Sequence, residues 1–181
     1  MIYVFLANGF EETEALVTVD VLRRAGLETI TVGIGGKVVT GSHGITVESD
    51  IEDVEVRIDS RLEGVVLPGG MPGAENLENS PVVQSVLEYA GANGCLTAAI
   101  CAAPFILGHK GMLEGKTAVC FPGYEEELYG ARLSDASVCR CENVITAKGA
   151  GVTLQFAAEI VAALKGREQA NRILEMMQCA F

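Results

Sequence analysis

The stretch Thr97-Ala-Ala-Ile-Cys-Ala-Ala-Pro104 carries the clearest structural signal in the chain. An apolar run reaches a cysteine, meets small residues and a proline, and a second apolar segment begins at once. The run reads as a buried strand from Cys95 to Ile100. Pro104 suits the first turn of a helix, where its missing N–H is no loss. A buried strand passing through a tight turn into a helix is the repeating unit of a parallel α/β sheet.

The flanking chain repeats that unit. Ile2 to Leu6 reads as a strand, and Glu12 to Arg24 as a helix with Ala15, Leu16, Val19 and Leu22 on one face, stopped by Gly26. Glu28 to Ile34 is a second strand. Gly35-Gly36 opens a hairpin-like region through Val38 and Ile45 to Glu48, and the charged stretch Glu52 to Arg61 returns over the surface. Val65-Val66-Leu67 is a buried strand ended by Pro68-Gly69-Gly70. A helix starts at Asn79-Ser80-Pro81 and runs to about Ala92. Beyond Cys101 the pattern predicts a helix from Pro104 to Gly108, a strand at Thr117 to Cys120, and one or two strands within Val138 to Ala147. Two closing helices follow, Thr153 to Leu164 and about Glu168 to Met177. The alternation predicts right-handed crossovers and a mainly parallel sheet with helices on both faces, in a single domain over residues 1–181.

Composition narrows the function classes. With 24 acidic against 13 basic residues the net charge is −11, which repels nucleic acid and anionic lipid. The nearly uncharged segment from Cys95 to Leu107 is too short to span a bilayer. The opening residues lack the basic region of a secretory signal, so a cytoplasmic protein is expected. Its six cysteines are then expected to be free thiols. None is spaced as CxxC, and Cys139-Arg-Cys141 has no histidine close by in sequence, so no metal site is expected.

In such a sheet, ligands bind beyond the carboxyl ends of the strands. Three loops there carry unusual residues. Cys101 ends a strand and precedes a helix, a nucleophile-elbow layout in which the helix dipole would lower the thiol pKa; the alternative is a cysteine that merely packs. Glu11-Glu12-Thr13-Glu14 opens the first helix. At least two of these acids are expected to be solvated there, and one could face Cys101 as a proton-exchanging partner. Pro68-Gly69-Gly70 offers unobstructed backbone N–H groups to an oxyanion, or is an ordinary turn. His43 and His109 are both expected to be solvated, and neither follows Cys101 directly, so no cysteine and histidine hydrolase dyad is visible.

Glu11-Glu12-Thr13-Glu14, Leu67-Pro-Gly-Gly70 with Pro72-Gly-Ala-Glu-Asn-Leu77, Ala98-Ala-Ile-Cys-Ala-Ala-Pro104 and Lys148-Gly-Ala-Gly151 together resemble the ThiJ/PfpI family. They are closest to its branch of Parkinson-disease-protein and bacterial deglycase or chaperone homologues. The resemblance covers essentially the whole chain. It implies a flavodoxin-like three-layer α/β sandwich, usually dimeric, with no metal or organic cofactor. It places Cys101 as nucleophile, Glu14 as the acid hydrogen-bonded to it, and Gly70 and Ala102 as backbone N–H donors. It also implies a strained elbow and ready oxidation of the cysteine to a sulfinate.

Two departures matter. The protease-like branch has a histidine directly after the cysteine, where this chain has Ala102, so peptidase activity is not expected. Some deglycase members supply a histidine from the loop after the next strand, where this chain has Phe121. The resemblance then implies a cofactor-free enzyme acting on methylglyoxal, glyoxal or their early thiol and amine adducts, with an oxidative-stress role. The alternative is a redox sensor or chaperone whose cysteine is oxidised without turnover. It further implies a homodimer built on the first helix, with its Arg23-Arg24 pair, and on the hairpin around His43. That arrangement makes Arg24 a neighbour of the site and lets His43 approach the partner's Cys101.

Overall fold

The computed structural model describes residues 1–179. In chain order the first half comprises β1 (Ile2–Leu6), α1 (Glu12–Arg24), β2 (Thr29–Gly33), β3 (Val38–Thr40), β4 (Thr46–Glu48), β5 (Ile51–Glu52), β6 (Gly64–Leu67), α2 (Gly73–Glu78) and α3 (Pro81–Asn93). The second comprises β7 (Leu96–Ile100), α4 (Pro104–His109), β8 (Thr117–Ala118), β9 (Arg132–Leu133), β10 (Val138–Cys141), β11 (Val144–Ala147), α5 (Thr153–Lys165) and α6 (Arg167–Met176).

Seven strands form one sheet in the order β10-β11-β7-β6-β1-β2-β5, parallel throughout except for the edge pair β10 and β11. The period-2 alternation of each strand divides the core between two faces. Tyr3, Phe5, Val65, Leu67 and Ala99 pack against α2, α3 and α4, while Ile2, Val4, Leu6, Val66, Ala98 and Ile100 pack against α1, α5 and α6. The result is a flavodoxin-like three-layer sandwich.

Local chemistry sets the helix ends. Ser80 caps α3 by accepting from the Val83 N–H, Pro81 fills the first turn, and Gly94 at φ 67° ends it. No helix among the described residues is long and apolar enough to cross a membrane.

Strand order reverses around β1. The chain moves outward through β2 and β5, then returns to add β6 on the other side of β1 and continues through β7 and β11. Register pairs Leu67 with Ala99 and Ile100 with Ala147, so the loops after β6, β7 and β11 emerge side by side at one edge, next to the loop after β1.

Several expectations need correction. Leu16 is 37% exposed; the inward stripe of α1 runs through Ala15, Thr18, Val19 and Leu22, about 100° away. Thr117–Ala118 stays outside the main sheet and pairs with β9, since the parallel position beside β7 is taken by β11. The short helix α2 and the two-residue edge strand β5 had too few periodic residues to register as elements. Val138 to Ala147, expected to hold one or two strands, holds two, paired antiparallel.

Candidate active site

Cys101 follows the last residue of β7 with φ at 65°, a left-handed conformation that a side chain bearing Cβ seldom adopts. Flanking backbone bonds hold it there. Its N–H donates to the Ala147 carbonyl at 2.9 Å, and its own carbonyl accepts from Phe121 N–H at 2.8 Å. Such strain persists only where neighbouring structure over-determines it. Here β11 and the loop after β8 do so.

Gly69 explains the glycine pair. A Cβ there would lie 2.6 Å from Cys101 Cβ and 2.8 Å from Glu14 Oε2, so the β6 loop can lie against the elbow only with glycine at this position. Gly69 N–H donates to Glu14 Oε2 at 2.8 Å. The N–H groups of Gly70 and Ala102 are directed at the Cys101 sulfur.

Glu14 comes from the first turn of α1, where Glu11 caps the helix by accepting from the Glu14 N–H at 2.6 Å. Its Oε1 is buried without a nitrogen or oxygen partner and faces the thiol. Burial raises the Glu14 carboxyl to about 7, against the lowering effect of the Gly69 N–H and the Cys101 thiol; the nearby Glu11 charge adds to the rise. Burial also pushes the Cys101 thiol up to about 12. The Glu14 charge and hydrogen bond reinforce that rise, and the N–H groups of Gly70 and Ala102 oppose it. The expected lowering by the α4 dipole is therefore overturned, because α4 has only six residues and desolvation beside a carboxylate outweighs its end charge.

The acids of the opening cluster are also less solvated than expected. Glu12 is 5% exposed and Glu14 1%. Glu12 points away from the thiol and anchors the β3–β4 hairpin, accepting from the His43 N–H and Nδ1 at 2.8 Å each and from the Ile45 N–H at 3.3 Å. Burial disfavours its charge, but these bonds win and hold it at about 2. His43 is thus fixed beside Glu12, outside its own chain's thiol site, and its ring is drawn to the protonated form by Glu12. Glu11, Glu12 and His43 form a group of potential metal ligands, but Glu12 is already engaged by the hairpin and Glu11 by its helix cap.

Arg24 lies ten residues from Glu14 along α1, about 15 Å at the helical rise, and pairs with Asp20 at 2.8 Å. Within the chain it is not a site neighbour. Phe121 is one: its N–H holds the elbow, and its ring is 47% exposed over Gly149. A Cβ on Gly149 would sit 3.3 Å from that ring and 3.9 Å from both Cys101 Sγ and Glu14 Oε1. Gly149 therefore borders the space above the thiol, a role visible in sequence only as part of the Lys148-Gly-Ala-Gly151 motif. His109 is not simply solvated either; it bridges Glu78 and Glu127.

Residues 1–163 match the DJ-1/PfpI family. The chain belongs to that family. It is 38% identical to the Parkinson disease protein 7 homolog of Danio rerio over 94% of this chain and 92% of the relative. It is 32% identical to the glutathione-independent glyoxalase DJR-1.2 of Caenorhabditis elegans, over 91% and 88%. The solved structure of Drosophila melanogaster DJ-1beta superposes with a TM-score of 0.93 at 33% identity, covering 99% of this chain and 98% of that one. An oxidized Toxoplasma gondii DJ-1 gives 0.91 at 31% identity, again over 99% and 98%. All six cysteines of the present chain are free.

Proposed function

We propose that the protein is a cofactor-free, cysteine-dependent glyoxalase acting on methylglyoxal, glyoxal or their early thiol and amine adducts. The observation that carries this reading is the left-handed Cys101 elbow with its sulfur facing the buried Oε1 of Glu14 and the N–H groups of Gly70 and Ala102.

Above the Glu14 pKa the resting pair is a thiol beside a carboxylate. As sulfur attacks the aldehyde carbon, the thiol proton passes to Glu14 and the C–S bond forms. Proton transfer removes the negative charge that holds the thiol up, so attack and activation reinforce each other. The N–H groups of Gly70 and Ala102 stabilise the charge on sulfur and on the oxygen attached beside it. Glu14 passes that proton to the new alkoxide oxygen, giving a hemithioacetal. Glu14, again a carboxylate, removes the proton from C1 to form an enediol and returns a proton to C2, leaving a thioester. Water cleaves the thioester, releasing lactate and the free thiol, so methylglyoxal plus water becomes lactic acid. The named C. elegans glyoxalase supports the assignment.

The test is conversion of methylglyoxal to lactate without added glutathione. Cys101→Ser should abolish it, and an unchanged rate would refute the reading. A second reading, a redox sensor or chaperone, is favoured by the similarity to an oxidized Toxoplasma relative. Stepwise oxidation by peroxide would place two oxygens on Cys101, with the raised carboxyl of Glu14 as hydrogen-bond donor to the sulfinate. Both readings suit a reducing cytoplasm. We further propose a homodimer through α1, whose outward Leu16 is exposed, and the β3–β4 hairpin, which sedimentation would test.

A further inference from the structure

Three short segments leave the thiol site. α2 follows Gly69-Gly70, α4 follows Cys101, and a 3-10 turn at Glu125–Glu127 follows Phe121. Their far ends meet at one imidazole. His109, the last residue of α4, places Nδ1 against Oε1 of Glu78, the last residue of α2. Its Nε2 lies 2.9 Å from Oε2 of Glu127 in the turn. The ring stacks on Tyr129 at 4.9 Å and lies 5.3 Å from Phe105, which itself stacks on Tyr124. A cleft of about 240 Å³ beside it is walled by Met71, Phe105 and Tyr124, and Met71 adjoins the Gly70 whose N–H faces the sulfur.

We infer that His109 is a positioning residue for the Cys101 site, an imidazolium clamp that fixes the segments carrying Gly70, Cys101 and Phe121. Ionised carboxylates only accept hydrogen bonds, so both ring nitrogens must donate and the ring must be charged. A neutral imidazole would turn a lone pair toward one carboxylate and release either α2 or the turn. Burial opposes the charge, but Glu127 and Glu78 together raise the ring pKa above its usual value. The other charged or titratable groups at this place are few. Glu75 of α2 lines the same cleft, and Tyr129 donates to Glu127 at 3.1 Å. Lys110 is turned to Gln84 of α3. The turn also packs so closely on Gly108 that a Cβ there would overlap it, which is how a change at His109 reaches the Phe121 loop.

The inference rests on Cys101 being the reactive centre, and its test is therefore not confined to turnover. NMR titration of the His109 ring should give a midpoint above the ordinary value of about 6.5. H109Q should speed amide exchange across residues 121–129 and lower kcat/KM for methylglyoxal about tenfold with kcat affected more than KM, as expected for displaced reacting groups. In the wild type, loss of the ring proton above its midpoint should lower the rate; H109R, permanently charged with several donors, should restore exchange protection and rate without that alkaline loss. A ring midpoint at or below 6.5, wild-type exchange and rate in H109Q, or H109R no better than H109Q would overturn the clamp. If the wild type shows no turnover, the glyoxalase reading fails instead, and ring titration with exchange still decides the clamp.

Discussion

Replacing Glu14 by glutamine should make the protein more stable and inactive. The Glu14 carboxyl is raised from 4.5 to about 7, and at 1.36 kcal/mol per tenfold in proton affinity this amounts to about 3 kcal/mol. Below pH 4.5 the group is protonated in both folded and unfolded chains, and no difference arises. Between pH 4.5 and 7 the unfolded chain releases the proton while the folded one keeps it, so stability falls as pH rises. Above about 7 the full cost of a buried carboxylate is present. Glutamine is neutral throughout, and its carbonyl can still accept from the Gly69 N–H. Urea unfolding of the two proteins should therefore differ by less than about 1 kcal/mol at pH 5 and by about 3 kcal/mol at pH 8. The pH 8 gap corresponds to a rise in Tm of roughly 6–12 °C for a chain of this size. Turnover of methylglyoxal should be lost, while iodoacetamide should alkylate Cys101 faster, because the charge and hydrogen bond that help hold the thiol up are gone. A variant no more stable than wild type at pH 8, or a gap that does not close toward pH 5, would mean that burial does not hold the Glu14 carboxyl up.

Other outcomes follow from the same geometry. Gly69→Ala drives a methyl group into Cys101 and Glu14, so it should lose about 1–3 kcal/mol along with turnover; an unchanged melting temperature would count against the packing described. The sensor reading requires mild peroxide to add two oxygens to Cys101 before any of the other five cysteines, whereas a thiol kept protonated until a carbonyl binds gives it no such precedence; mass spectrometry separates the two, and earlier oxidation of Cys95 or Cys139 would end the sensor reading. Glu12 is held at about 2, so the anchoring of the hairpin should be intact above pH 4.5 and lost as pH falls toward 2. Amide exchange at residues 41–45 would show this, and Glu12→Ala should expose the same amides at neutral pH. His43→Ala should lower turnover with the dimer intact if the hairpin reaches a partner's thiol, and full activity would exclude that reach.

Strand and helix periodicity made the sheet legible because buried parallel strands such as Val65-Val66-Leu67 and Leu96–Ile100 are short apolar runs bounded by glycine or proline. Cys101 was legible for the same reason, as a polar interruption at a strand end. Burial within a helix's first turn was not. Glu12 and Glu14 sit two residues apart, and the helical turn sends one to the hairpin and the other to the thiol, a divergence that depends on which loops pack there. The raised thiol was illegible too, since a sequence shows the helix start that would lower it but not the desolvation that wins. His109 shows the same limit: its partners Glu78 and Glu127 stand 31 and 18 residues away, and only the convergence of three loops makes them neighbours.

These features share one physical cause. The strained elbow and the buried carboxyl of Glu14 each lower stability, and both converge on a single sulfur. Burial raises the carboxyl toward neutrality and the thiol beyond it, so at physiological pH the pair holds one to two protons, and the last of them rests on sulfur. A thiol in that state is protected from indiscriminate attack by its own proton. On the proposed glyoxalase reading it becomes a nucleophile only as Glu14 takes that proton, and Glu14 takes it most readily when a carbonyl is in place to receive the electron pair. The same reading places selectivity for small aldehydes over chance electrophiles in the coupling of the two groups. Removing the carboxylate should sever it, leaving a cysteine that alkylates faster and catalyses nothing.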